Sequence, residues 1–112
     1  MNFTLNIRKK YFDLIKNHKK SIELRLYDEK RKLINIGDII TFVSNETKEE
    51  LIAKVIKLHK AKNFEELVKN INIEKTGFKT IEDLNKNILE FYSIEKQNNF
   101  GVLGIEIKVI DN

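Results

Sequence analysis

The chain has 112 residues and no cysteine, which fits one domain with one core and excludes disulfides, thiolate metal sites and a cysteine nucleophile. Its opening residues lack the apolar segment of a secretory signal, and no apolar run approaches the ~18 residues of a membrane span; a soluble, cytoplasmic protein is expected. The formal charge of +4 is uneven, with ten Lys/Arg against four Asp/Glu in residues 1–35 and eleven against thirteen in residues 36–112: a basic end suits a phosphate-facing surface, while the heavy use of Lys, Ile and Asn throughout also fits an A- and T-rich genome.

"FTLNI" (3–7) alternates and predicts a short strand, after which residues 9–17 place Tyr11, Phe12, Leu14 and Ile15 at helical spacing. "SIELRL" (21–26) predicts a second strand. The polar, basic "YDEKRK" follows, and then Gly37-Asp38 marks a turn before the β-branched run "IITFV". "ELIAKVIKLHKA" (50–61) is apolar on both faces, which places it centrally in a sheet or barrel.

The period then changes. Asn63 is a candidate helix N-cap with Glu66 three residues on, and Thr80 is a second with Asp83 in support. Ile81, Leu84, Ile88 and Tyr92 form one apolar stripe, the pattern of a core-facing helix. "GVLGIEIKVI" closes the chain as a half-buried strand. Gly37, Gly77, Gly101 and Gly104 are expected at turns or strand starts and make no phosphate loop. Five strands with short helices predict an α+β fold, a small barrel with helices across its ends, and residues 1–112 read as a single domain.

The second strand is the unusual one. Ser21, Glu23 and Arg25 share one face, and Ile22, Leu24 and Leu26 the other. The apolar face must meet a core; the charged face either lies in water or lines a polar cleft.

Two segments, "YFDLIKNHKKSIELRLYDEKRKLINIGDIITF" and "FYSIEKQNNFGVLGIEI", resemble the bacterial single-domain ASCH proteins, a branch of the PUA-like superfamily. The family pattern G-x-K-x-x-E-x-R, followed by Gly-Asp before the next strand, is met by Lys20, Glu23, Arg25, Gly37 and Asp38, and the likeness runs from Phe12 to Ile107. One position departs from it: His18 stands where the family has glycine, at a helix end that favours a left-handed backbone. His59 is distant in sequence, so no metal site is expected.

The resemblance implies a PUA-like mixed barrel with a basic cleft for RNA or a modified nucleoside. Lys19, Lys20, Ser21, Glu23, Arg25, Tyr27, Lys30 and Arg31 are the candidate binding residues. Tyr27, Phe91 and Tyr92 could stack a base, Tyr27 being favoured and Tyr92 assigned to the core; "DEKRK" also reads as a solvated turn.

Some relatives hydrolyse an acyl-amide on the exocyclic amine of cytidine. That alternative places catalysis on Lys20, Glu23 and Glu74. It departs from those relatives, which carry threonine at the Glu23 position, and it needs Arg25 to engage Glu23 so that Lys20 can lose its proton. A protein-interaction module is the third reading. No cofactor is expected under any of them.

Overall fold

The computed structural model describes residues 1–111. Its five strands are β1 (Asn2–Ile7), β2 (Ile22–Leu26), β3 (Ile39–Ser44), β4 (Glu50–Ala61) and β5 (Val102–Asp111), and its helices are α1 (Lys9–Lys16), α2 (Phe64–Leu67), α3 (Ile81–Ile88) and α4 (Ile94–Phe100). The strands form one sheet in the order β1-β3-β4-β5-β2, parallel between β1 and β3 and antiparallel elsewhere. Although only one of its faces is buried, Leu51, Ala53 and Val55 meeting the core while Lys54 and Ile56 are exposed, β4 lies at the centre as expected. Two register shifts against β5, at Ile52/Ala53 and Val55/Lys57, bend it, and bulged strands twist and curve.

The sheet curls into a half-barrel whose edges, β1 and β2, approach each other. Arg25 of β2 closes the seam by donating from Nη2 to the Asn6 carbonyl of β1 at 3.1 Å. No helix among the described residues is long and apolar enough to cross a membrane.

Two cores share β5, and β2 contributes its apolar face to one of them. The first fills the half-barrel with Leu5, Phe12, Ile15, Phe42, Val55 and Ile105; the second lies under α2 and α3 and holds Ile22, Leu24, Phe64, Leu67 and Leu84. The apolar face of β2 therefore meets the second, helix-covered core. Its opposite face carries Glu23 and Arg25, which pair in register with Ile105 and Leu103, two residues of the barrel core. Both faces of β2 are covered, so its charges do not lie in water.

The expected caps form. Asn63 Oδ1 accepts from Glu66 N at 2.8 Å and Thr80 Oγ1 from Asp83 N at 3.1 Å, each satisfying an end donor. Two expectations are corrected. The stripe Ile81, Leu84, Ile88, Tyr92 is not one helix: α3 stops at Ile88, and Ser93 caps α4 by accepting from Lys96 N at 3.2 Å. Gly104 lies inside β5 rather than at a strand start, because a Cβ there would meet Ile22 Cγ2 at 3.2 Å and Leu67 Cδ2 at 3.4 Å.

His18 follows α1 with φ of +61°. His18 N donates to the Ile15 carbonyl at 3.1 Å and Lys19 N to the Leu14 carbonyl at 2.8 Å, the paired bonds of a Schellman stop. Histidine holds a turn that glycine takes without Cβ strain. His18→Gly is expected to raise stability by roughly 0.5–1 kcal/mol, the relief of strain exceeding glycine's added unfolded-chain entropy. Urea denaturation would show a higher midpoint at unchanged slope.

Candidate ligand cleft

The geometry begins at the turn that His18 makes. It delivers Lys20 to the foot of β2, where the side chain is buried, 4% exposed. Lys20 Nζ donates to the Thr76 carbonyl at 2.8 Å and the Ile22 carbonyl at 3.0 Å, and lies 3.3 Å from Glu23 Oε1. The Thr76 carbonyl is presented by the 3₁₀ turn Ile73–Thr76, which ends at Gly77 with φ of +90°. A Cβ at Gly77 would approach Leu14 Cδ1 to 3.1 Å and Lys20 Cδ to 3.6 Å, so a small residue lets that turn seat against the lysine stem.

Glu23 bridges the two cations. Its Oε2 accepts from Arg25 Nε at 2.9 Å and lies 2.8 Å from Arg25 Nη2, while Oε1 faces Lys20. Burial pushes the Glu23 carboxyl up, but Arg25 and Lys20 together hold it below the usual carboxylate range. Burial drives Lys20 down, opposed by Glu23 and assisted by Arg25, and the outcome is a lowered pKa. Burial acts most strongly to lower Arg25, but Glu23 and Tyr92 together raise it above its ordinary value, so the guanidinium stays charged. With all three ionised the triad carries one net positive charge in a poorly solvated place, where an anion or a carbonyl oxygen is favoured.

The triad forms one wall of a cleft of about 390 Å³. Tyr11, Phe78, Phe91 and Tyr92 line the same cleft, Tyr11 beside Lys20 and Tyr92 beside Arg25, and Asn45 and Asn87 border it as well. The Tyr11 hydroxyl has its pKa raised, chiefly by burial, and Lys20 Nζ lies 5.6 Å from its ring centroid. Arg8 Cζ sits 4.3 Å from the Phe91 centroid and holds that ring at the rim through a cation–π contact.

Of the residues singled out from sequence, Lys20, Glu23 and Arg25 come together here. Lys30 and Arg31 line a second cavity on the seam, of about 340 Å³, which Arg25 also borders. Four others lie outside both cavities. Lys19 is exposed, and Ser21 pairs through its backbone, donating to the Lys75 carbonyl and accepting from Ile107 N. Glu74 points into solvent from the 3₁₀ turn, away from Lys20. Tyr27 packs against the barrel core with Lys60 Nζ 4.9 Å from its ring.

Tyr92, assigned to the core, packs against the helix-covered core and lines the cleft as well. Arg8, Tyr11, Asn45 and Asn87 were not legible as site residues: tertiary folding brings them together from the start of α1, the end of β3 and α3, and Tyr11 reads locally as part of an apolar stripe. Among the described residues no group of three His, Asp or Glu side chains is placed to hold a metal.

The family model for the ASCH domain matches residues 5–111. The chain is similar to the crystal structure of hypothetical protein PH0355, with 39% identity, a TM-score of 0.87, and 98% of this chain and 100% of that one covered. It is also similar to the solution structure of protein PF0455 from Pyrococcus furiosus, at 33% identity and a TM-score of 0.78, with both chains covered in full. The crystal structure of ASCH from Zymomonas mobilis shares the fold, with a TM-score of 0.67 at 9% identity over 94% of this chain and 65% of that one. No curated protein matches the chain.

Proposed function

The chain belongs to the ASCH domain family, and on that footing we propose that its cleft binds a single base, presented by RNA or by a nucleotide. The observation that carries this reading is the composition of one cavity. One cleft is lined by four aromatic rings, a charged triad and two asparagines, the kinds of surface that the face and the edge of a base require. Asn45 can donate and accept; Asn87, whose Nδ2 donates to Asp83, keeps its Oδ1 as an acceptor; and Arg25, whose Nε and Nη2 are engaged by Glu23 and Asn6, keeps Nη1 for a carbonyl or an oxyanion. The volume lies in the usual range for small-ligand sites, about 300–1,000 Å³.

Stacking supplies the test. Tyr92→Ala and Phe91→Ala are each expected to weaken binding of a short single-stranded RNA by ~1–3 kcal/mol, 5- to 150-fold, measured by calorimetric titration. Tyr27→Ala is expected to leave the affinity unchanged, since that ring lies outside the cleft. Equal affinities for all four proteins would contradict the reading.

A second reading, hydrolysis of an acyl group from the exocyclic amine of cytidine, is favoured by the lowered pKa of Lys20 and by the contact of Arg25 with Glu23. Against it, three acceptors surround Lys20 Nζ, so attack would require the amine to leave at least one of them. Release of acetate from acetylated cytidine, lost in Lys20→Met with the fold retained, would establish this activity.

A further inference from the structure

We propose that the second cavity on the β1/β2 seam is the phosphate subsite of this cleft, so that the ligand is a nucleotide or an RNA rather than a free nucleoside. The inference rests on the base-binding reading and extends it. Arg25 and Asn6 border both cavities, which therefore adjoin at the contact by which Arg25 closes the seam.

Their chemistry differs. The first holds four aromatic rings and the Glu23 carboxylate, whereas the second is bordered by Arg25, Lys30 and Arg31 with no acidic side chain among its lining residues. Glu23 and Asp28, the partners of Arg25 and Arg31, lie outside that lining, so the cavity itself presents three cationic side chains and suits an oxyanion better than a neutral base.

Arg31 strengthens the assignment. One arm of its guanidinium is committed to Asp28, at 2.9 Å from Nη1 to Oδ2, and Asp28 Oδ1 accepts from its backbone N–H at 3.1 Å, so the side chain is held in place. Its Nε is buried and has no hydrogen-bond partner. Buried donors are nearly always satisfied, so this unpaired one, on a side chain that borders the cavity, would gain a partner if a small side-chain shift let an oxyanion reach it. The backbone of β1 contributes too. The Met1 and Ile7 carbonyls accept from Ile39 and Asn45 beside β3, and strand alternation then turns the N–H and C=O of Thr4 toward the seam. A base seated against the rings of the first cavity would direct its sugar past Arg25 and its phosphate toward Lys30 and Arg31.

The test titrates the full chain with adenosine, cytidine, guanosine and uridine, each as the free nucleoside and as its 3′- and 5′-monophosphate. For at least one base a monophosphate is expected to bind on the order of 10- to 100-fold more tightly than its nucleoside. That gain should be lost in Arg31→Gln and reduced in Lys30→Gln, with nucleoside affinity unchanged in both. Arg31 also ties its own turn to Asp28, so Lys30→Gln keeps the result readable if the turn shifts. Nucleosides and monophosphates binding equally would overturn the subsite and leave the base-binding reading standing, and so would a phosphate gain that survives both substitutions. Binding of no nucleoside or nucleotide would overturn both. Capture of an acidic peptide on the free edge of β1, without any nucleotide response, would also overturn the proposal.

Discussion

Replacing Glu23 by alanine is expected to cost ~3–5 kcal/mol of stability, because it leaves two buried cations facing each other with no counter-charge. Lys20 Nζ would keep the carbonyls of Ile22 and Thr76, and Arg25 the Asn6 carbonyl and the Tyr92 hydroxyl, none of them a counter-charge. A domain of this size has about 5–15 kcal/mol in total, so the variant should lose on the order of 15–30 °C in Tm. The loss should arise from charge rather than from the missing side-chain volume. Lys20→Met in the Glu23→Ala background is therefore expected to recover part of it, since one of the stranded charges is gone. Calorimetry of the three variants checks this; additive losses in the double variant would contradict it.

The same residue governs acid stability. The folded protein holds Glu23 below the usual carboxylate range, so the unfolded chain takes up that proton first as pH falls. The stabilisation is complete above the ordinary glutamate pKa of ~4.3 and is lost as pH drops through the depressed folded value. Asp38 and Glu106 act in the same direction. A backbone N–H from Asn35 leads in lowering Asp38, and the bond with His59 leads in lowering Glu106. Lys20 acts on the alkaline side. With its pKa lowered, the folded state gives up that proton before the unfolded chain does, so the cost of burying the cation shrinks as pH rises through its folded value. Glu23→Gln should consequently flatten the acid limb of the stability profile, measured by urea denaturation across pH.

Arg25→Ala is expected to have the largest effect on ligand binding, a loss of ~2–5 kcal/mol or roughly 30- to several-thousand-fold. Three roles meet in this guanidinium: it neutralises Glu23, closes the barrel seam at Asn6, and borders both cavities. Arg25→Lys keeps the charge and loses the planar fork, so it should retain most of the stability while still binding weakly. A lysine variant that binds as the parent does would reduce the role of Arg25 to charge alone.

Several of these features were legible in the sequence because they are local. Alternation in "SIELRL" separates Glu23 and Arg25 from Ile22 and Leu24, and the caps at Asn63 and Thr80 lie within three residues of their partners. The left-handed turn at His18 follows from helix-end chemistry in the same way. Alternation states that a strand has two faces and not which layer each face meets. Here the charged face turned out to look into the barrel and the apolar face toward a second core, an outcome set by α2 and α3 from forty or more positions away. The stripe was misread as one helix because the spacing of Tyr92 continues that of α3, while the stop at Ile88 and the new cap at Ser93 depend on a turn that the stripe conceals; Tyr92 does pack against the core, as expected, and lines the cleft besides. Glu74 is close to Lys20 along the fold, yet the 3₁₀ turn offers Lys20 the Thr76 carbonyl and sends the Glu74 carboxylate outward.

The most direct test is nuclear magnetic resonance of the labelled protein titrated with the four nucleoside monophosphates, read at the Arg25 Nε–H and at the Tyr92 and Phe91 rings. Seating of a base predicts shifts at all three that saturate along one binding curve, with ring contacts to the base protons. Shifts confined to exposed lysines such as Lys19, with the Arg25 signal unmoved at saturation, would contradict a ligand cleft at the buried triad.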